Sequence, residues 1–243
     1  MDPRSKRYLE IDVLRTAALA MMVAYHAAYD LSQFHGIAID VLTGPWHMLQ
    51  LATANLFLLL VGASFAISHH RTLMAGISGK ALFKKYAKRG IFLFLWGMAV
   101  SAVTFLIFGD AYVRFGILHL IGIALLLLPF LAPLQEGNAL LALSAFWLGG
   151  RMRSIEGAPA FLLPLGITSP AFTSVDYYPL LPWLSPILLG FALGNLLYSR
   201  GILRHHVPQN RLTELLALPG RHSLFLYLIH QPILIAVLWI VFS

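Results

Sequence analysis

Seven runs of mostly apolar residues, each bounded by polar or basic loops, constrain this chain more than any other feature. They cover residues 13–33, 46–68, 90–109, 115–132, 138–150, 180–198 and 223–242. A helix needs roughly 20 such residues to cross the hydrocarbon core of a bilayer. In lipid every backbone N–H and C=O must be satisfied within the protein, which leaves helices and closed barrels as the spanning structures. Barrel strands alternate polar and apolar residues over about ten positions, whereas these runs are continuous. The expected fold is therefore all-α, a polytopic membrane helix bundle of about seven transmembrane helices. No long polar linker or internal repeat divides it, so residues 1–243 are expected to form a single domain. The run at 138–150 is the shortest and the weakest candidate to span.

Composition agrees. The chain is 59% hydrophobic and 11% charged, against about 25% charged for a soluble domain. That leaves too few charges to coat a water-facing surface, and it argues against a soluble enzyme, a disordered tail and a nucleic-acid reader. The formal charge of +7 is explained by basic loops between the spans rather than by a nucleic-acid partner. With no cysteine, disulfide frameworks, thiol catalysis and thiolate metal sites are excluded. The first apolar run lacks a cleavage site followed by a soluble domain, and it reads as the first membrane helix.

Lysine and arginine set the expected orientation. Counting seven spans, one side carries Arg4, Lys6, Arg7, Arg71, Lys80, Lys84, Lys85, Lys88, Arg89, Arg200, Arg204, Arg211 and Arg221. The other carries Arg114, Arg151 and Arg153. Thirteen against three predicts a cytoplasmic N-terminus and an extracytoplasmic C-terminus. The segment KALFKKYAKR (80–89) reads either as an amphipathic stretch on the inner leaflet or as a positive flank to the third span.

Ionisable groups within spans cost about 2.5–3.5 kcal/mol each on insertion scales and so point to function. Asp12 and Arg15 stand three apart near the inner end of the first span, and His26 and Asp30 stand four apart in its outer half, each pair on one helix face. A carboxylate beside an imidazole fixes its tautomer and raises its basicity, as a general base requires. A polar pair that locks helix packing is the alternative. Arg114 and His119 begin the fourth span, and Asp176, Tyr177 and Tyr178 precede the sixth, so three segments deliver polar groups to one outer layer. His230, followed by Gln231 and Pro232, either lines the same cavity or bonds backbone freed by the proline. Asn55 reads as interhelical glue, and Gly62, Ser64, Gly190 and Gly194 as sites of close helix packing. The pairs His69–His70 and His205–His206 lack metal-site spacing, and no phosphate-cradling glycine loop or nucleophile elbow occurs, so no metal is expected.

Five segments carry a family resemblance: RYLEIDVLRTAALAMMVAYHAAYDL (7–31), LFLLLVGASFAIS (56–68), RFGILHLIGIALLL (114–127), DYYPLLPWL (176–184) and GRHSLFLYLIHQPIL (220–234). In this order they resemble the heparan-α-glucosaminide N-acetyltransferase catalytic-domain family of multi-helix membrane acyltransferases. The last segment is also similar to the end of the broader membrane acyltransferase group. The resemblance carries over Asp12, Arg15, His26, Asp30, Arg114, His119, Asp176 and His230. Thr16 departs from it, since the family usually has Gly after the Arg.

The resemblance implies a membrane-embedded acyltransferase in a bacterial plasma (inner) membrane. It would move an acetyl group from cytoplasmic acetyl-CoA to an amine or hydroxyl of an envelope or extracytoplasmic sugar. His26, oriented by Asp30, is expected to serve as general base or transient acyl carrier, with His119 or Arg114 stabilising the oxyanion and His230 as a further catalytic candidate. Arg114, Asp176 and Tyr177 are expected to face the acceptor. Asp12, Arg15 and Arg221 are expected at the donor site, where guanidinium groups attract phosphates. The expected partners are acyl-CoA, a glycan or small amine or hydroxyl acceptor, and the bilayer, with a homodimer left open. The rival reading is a small transporter or proton-coupled channel using the same His and Asp as a relay.

Overall fold

A computed structural model describes residues 8–152, 159–169, 172–202, 208 and 210–242. Arg4, Lys6, Arg7, Arg153, Arg204 and the pair His205–His206 lie outside the described residues. Eight α-helices are present among the described residues: α1 (Leu9–His35), α2 (Gly44–Met74), α3 (Gly79–Phe108), α4 (Ile117–Leu131), α5 (Asn138–Met152), α6 (Leu180–Gly194), α7 (Arg211–Arg221) and α8 (Ser223–Phe242). Among the described residues there is no strand, only an isolated parallel bridge between Phe115 and Tyr177. The chain is an all-α membrane protein.

Each of the seven apolar runs is helical. Among the described residues six stretches are long and apolar enough to span, because Ile117–Met152 counts as one stretch of 36 residues. At 1.5 Å per residue such a stretch would measure about 54 Å, nearly twice the roughly 30 Å hydrocarbon core. It is in fact broken between α4 and α5, where Gln135 takes φ 47° and Pro133 is the second residue of a 3₁₀ turn, Ala132–Gly137. The Asn138 side chain covers the break, its Nδ2 donating to the carbonyls of Leu131 and Gln135, both at 2.9 Å. The two halves then pack on different neighbours, α4 on α3 and α5 on α6.

Two findings differ from the sequence expectation. The basic segment 80–89 flanks the third span, as one of its two readings had it, but it is helical rather than loop, forming the opening turns of α3. Lys, Ala and Leu are strong helix formers and no Gly or Pro interrupts them. Tyr86 fastens this part to α2, its hydroxyl donating to Ser68 Oγ at 3.1 Å. Part of the loop before the last span is also a helix, α7. Its start is closed by a reciprocal cap, Asn210 Oδ1 accepting from Thr213 N–H at 2.9 Å and Thr213 Oγ1 accepting from Asn210 N–H at 3.1 Å.

The chain divides into two compact units within α2. One comprises Met1–Leu60 with Leu203–Ser243, the other Val61–Ile202. In the first, α1 packs on α7 and α8, and Tyr25, Ala28 and Val41 form a small core with Trp46 and Leu49 around it. Thr16 ties α1 to α7, donating to the Leu216 carbonyl at 2.6 Å and accepting from Gly220 N–H at 2.9 Å. Gly220 is required there, since a Cβ would lie 1.9 Å from the Asp12 carbonyl oxygen. In the second unit, α2 and α6 approach as the small residues suggest. A Cβ on Gly62 would meet the Ile187 carbonyl, and one on Gly194 would meet Ala63.

Candidate functional site

The predicted site residues gather in three places, two in the first unit and one in the second. At the start of α1, Arg15 Nη1 lies 2.8 Å from Asp12 Oδ1, and Arg221 Nε, from the end of α7, lies 3.8 Å from Asp12 Oδ2. Asp12 is buried while the two guanidinium groups are part exposed. The carboxylate offsets one of the two cationic charges and lies against a terminal nitrogen of Arg15 and the inner Nε of Arg221. The trio therefore keeps net positive charge at the surface of the unit, which suits a phosphate.

Further along α1, His26 meets α8. Its ring stands 4.9 Å from that of His230, centroid to centroid, in an edge-on arrangement. His230 Nδ1 lies 2.6 Å from the carbonyl oxygen of Tyr227, so Nδ1 carries the proton and donates it. That leaves the lone pair on Nε2, which is buried and has no partner among the described residues. The carbonyl that Pro232 releases in a helix is the one four residues back, so the partner of His230 is a different oxygen. Asp30, almost fully buried at 1% exposure, does not take His26 as its hydrogen-bond partner. It accepts both contacts from the Gln231 amide, at 2.8 and 3.0 Å. Spacing placed His26 and Asp30 on one face of α1, and the neighbour supplied by α8 determines what the carboxylate bonds. Gln231 is the residue that sequence reasoning passed over. Its only signal was its position beside His230.

In the second unit, Arg114, His119, Asp176 and Tyr177 assemble where residues 111–117 run beside 172–178. Val175 N–H donates to the Ala111 carbonyl at 2.8 Å and Tyr178 N–H to that of Phe115 at 2.7 Å. Ser174 knits the two segments, its hydroxyl lying 2.8 Å from the carbonyls of both Tyr112 and Asp176. The Asp176 carboxylate accepts from Ile117 N–H at the start of α4, but burial outweighs this bond and pushes the group up to about 7. Burial also pushes Tyr177 up to about 12, and its hydroxyl donates to the Leu163 carbonyl at 2.6 Å. Arg114 stacks over Tyr112 and Phe172 and donates to the Asp110 carbonyl at 2.9 Å. His119 is 2% exposed, stacked on Phe115 and edge-on to Phe94. Its Nδ1 accepts from Gly116 N–H at 3.1 Å, which assigns the proton to Nε2.

Elsewhere in this unit His69 and His70 line a cavity of about 700 Å³ together with Lys80, Phe83, Pro133 and Asn195. No three His, Asp or Glu side chains converge as a metal set among the described residues. Asn55 bonds its own helix, donating to the Leu51 carbonyl at 2.8 Å.

No curated protein and no solved structure matches the chain. The family described as heparan-alpha-glucosaminide N-acetyltransferase, catalytic, matches residues 7–232. This favours a transferase over a transporter or channel built on the same buried His and Asp. Nearly the whole length is covered, the five motif segments included, and the chain belongs to the heparan-α-glucosaminide N-acetyltransferase catalytic-domain family.

Proposed function

We propose that the chain works as one acyltransferase domain, moving an acetyl group from cytoplasmic acetyl-CoA to an amine or hydroxyl of an envelope or extracytoplasmic sugar. The observation that carries this reading is the state of His230. Its Nδ1–H is spent on the Tyr227 carbonyl, so its buried Nε2 can take a proton without breaking a bond already made. His26 lies against it, and the two imidazoles form the base. The acceptor N–H or O–H gives up its proton to the pair as its heteroatom attacks the thioester carbon. The carbon–sulfur bond then breaks, and the proton is returned to the departing thiolate, giving free CoA and the acetylated acceptor. The Asp30 carboxylate, fixed by Gln231, supplies negative charge near the imidazolium that forms. Arg15 and Arg221, spaced by Asp12, hold donor phosphates. Arg114, Asp176 and Tyr177 of the second unit are assigned to acceptor recognition, and His119, which keeps its proton on Nε2, is the candidate oxyanion donor.

The protein lies in a plasma membrane with its N-terminus cytoplasmic and its C-terminus outside, α4 and α5 each crossing. The thirteen-to-three lysine and arginine asymmetry supports this orientation. The test is release of CoA from acetyl-CoA by the purified chain in nanodiscs with glucosamine as acceptor. Wild type is expected to acetylate the sugar and His230→Ala is not. Absence of acetyl-CoA binding by calorimetry would overturn the donor assignment. Equal turnover in the two proteins would overturn the base.

A further inference from the structure

We infer that α7 is an interfacial helix whose leucine face lies in the acyl boundary of one leaflet. The inference does not rest on the catalytic reading. At 100° per residue the eleven positions of α7 fall into three arcs. Thr213, Ala217 and Gly220 form a narrow arc of small residues, each part-buried or buried. They face α1, as the Thr16 bonds to Leu216 and Gly220 require. Glu214 and Arg221 share a second, polar arc. The third arc holds Leu212, Leu215, Leu216 and Leu218, which are 65%, 59%, 45% and 50% exposed, together with Pro219 and with Arg211, whose long side chain at the first position of the helix can reach out to water.

A leucine arc of this width on a helix of low overall hydrophobicity, with charged residues on another face, is the pattern of a helix lying in the plane of a membrane surface. Length makes the same point. Eleven residues rise roughly 16 Å, about half of a hydrocarbon core, so α7 does not cross. Continuity identifies the occupant as lipid. After the single residue His222 the chain enters α8, a candidate span with none of its most apolar window buried inside the protein. The lipid-facing surface of α8 thus begins where the leucine arc of α7 ends. The clamp on α1 has a functional consequence, because a helix lodged at this depth holds Arg221 beside Asp12 and sets the Asp12–Arg15–Arg221 trio at the boundary between leaflet and water.

The chain has no cysteine, so single cysteines can be labelled without background. Leu212→Cys, Leu215→Cys and Glu214→Cys, with Val237→Cys of α8 as the lipid-facing reference, would each carry a nitroxide in nanodiscs. Collision rates with oxygen and with a water-soluble nickel chelate are then compared. The ratio of oxygen to nickel collisions at 212 and 215 is expected to approach that at 237 and to exceed that at 214 several-fold. Nickel access at 212 and 215 equal to that at 214 would put α7 in water and overturn the inference. Protection of 212 and 215 from both reagents would mean that protein covers the face, and would overturn it equally. Each variant is checked for wild-type elution in detergent, and Leu216→Cys provides an independent position on the same arc should one variant misfold.

Discussion

His230 and His119 are both enclosed histidines, each with one nitrogen on a main-chain partner, and they are opposites. His230 donates through Nδ1 to the Tyr227 carbonyl and keeps a lone pair on Nε2. His119 accepts through Nδ1 from Gly116 N–H and keeps a proton on Nε2. Protonating His230 adds a donor and breaks nothing. Protonating His119 at its remaining basic nitrogen destroys the bond that closes the start of α4. The surroundings follow the same division. The ring of His119 is filled in by Phe94 and Phe115, while His230 has another imidazole against it. Backbone partners, rather than residue type, therefore suit one histidine to act as a base and the other to hold a helix terminus and offer a donor.

The contrast is broken most directly by removing each ring. His230→Ala should reduce acetyl transfer by about a hundredfold or more, the usual contribution of a positioned acid–base group, with little change in melting temperature. His119→Ala should lower stability by about 2–4 kcal/mol through the cavity it leaves, seen as a reduced melting temperature in detergent. Should the two variants behave alike in both assays, the division of roles fails.

Next in size is the Asp30–Gln231 contact. Gln231→Glu sets two carboxyl groups against each other in a buried position and should cost about 3 kcal/mol or more unless one of them stays protonated. Asp30→Asn retains an acceptor for the Gln231 amide and should fold normally. Its turnover should fall about tenfold if the carboxylate supports an imidazolium. Wild-type turnover in Asp30→Asn would confine the carboxylate to a packing role.

The second unit has its own pH signature. The Asp176 carboxyl is pushed up to about 7 from an ordinary 3.8. Between those values the folded protein holds a proton that the unfolded chain has released. The protonated carboxyl therefore favours the fold below pH 4, and that contribution is lost as pH rises through about 7. Melting temperature should decline across this window, and Asp176→Asn should remove the decline. An unchanged slope in the variant would assign the titration to another group.

The smallest expected effect is at the clamp. Thr16→Val removes the bonds to Leu216 and Gly220 and leaves the Gly220 N–H without that partner, costing about 1–3 kcal/mol. A melting temperature equal to wild type would mean that water replaces the threonine hydroxyl.

The spanning helices were legible because lipid imposes a simple rule, some twenty apolar residues in a row, and the chain obeys it. Their ends were not. Residues 80–89 are charged and looked like a flank, yet nothing in KALFKKYAKR stops a helix. The segment Arg211–Arg221 carries Pro219 and Gly220 near its end, residues that ordinarily break a helix, but Gly220 is needed for contact with α1 and the proline sits in the last turn of α7. At the candidate site, spacing within α1 showed which residues share a face. It could not show that Gln231, 201 positions away from Asp30, would take the carboxylate. Nor could it show which ring nitrogen of each histidine is left over. Both depend on partners that only tertiary packing supplies. Thr16, the departure from the family pattern, is explained by its two bonds to α7.

The central claim is that His26 and His230 act as one proton-accepting unit. The most direct test is a cycle of His26→Ala, His230→Ala and the double variant, with CoA release from acetyl-CoA measured in nanodiscs at saturating donor. One unit predicts that each single variant loses most of the activity and that the double is little worse than the poorer single, because parts of one catalytic unit are not additive. Near-normal turnover in either single variant, or losses that multiply in the double, would contradict it.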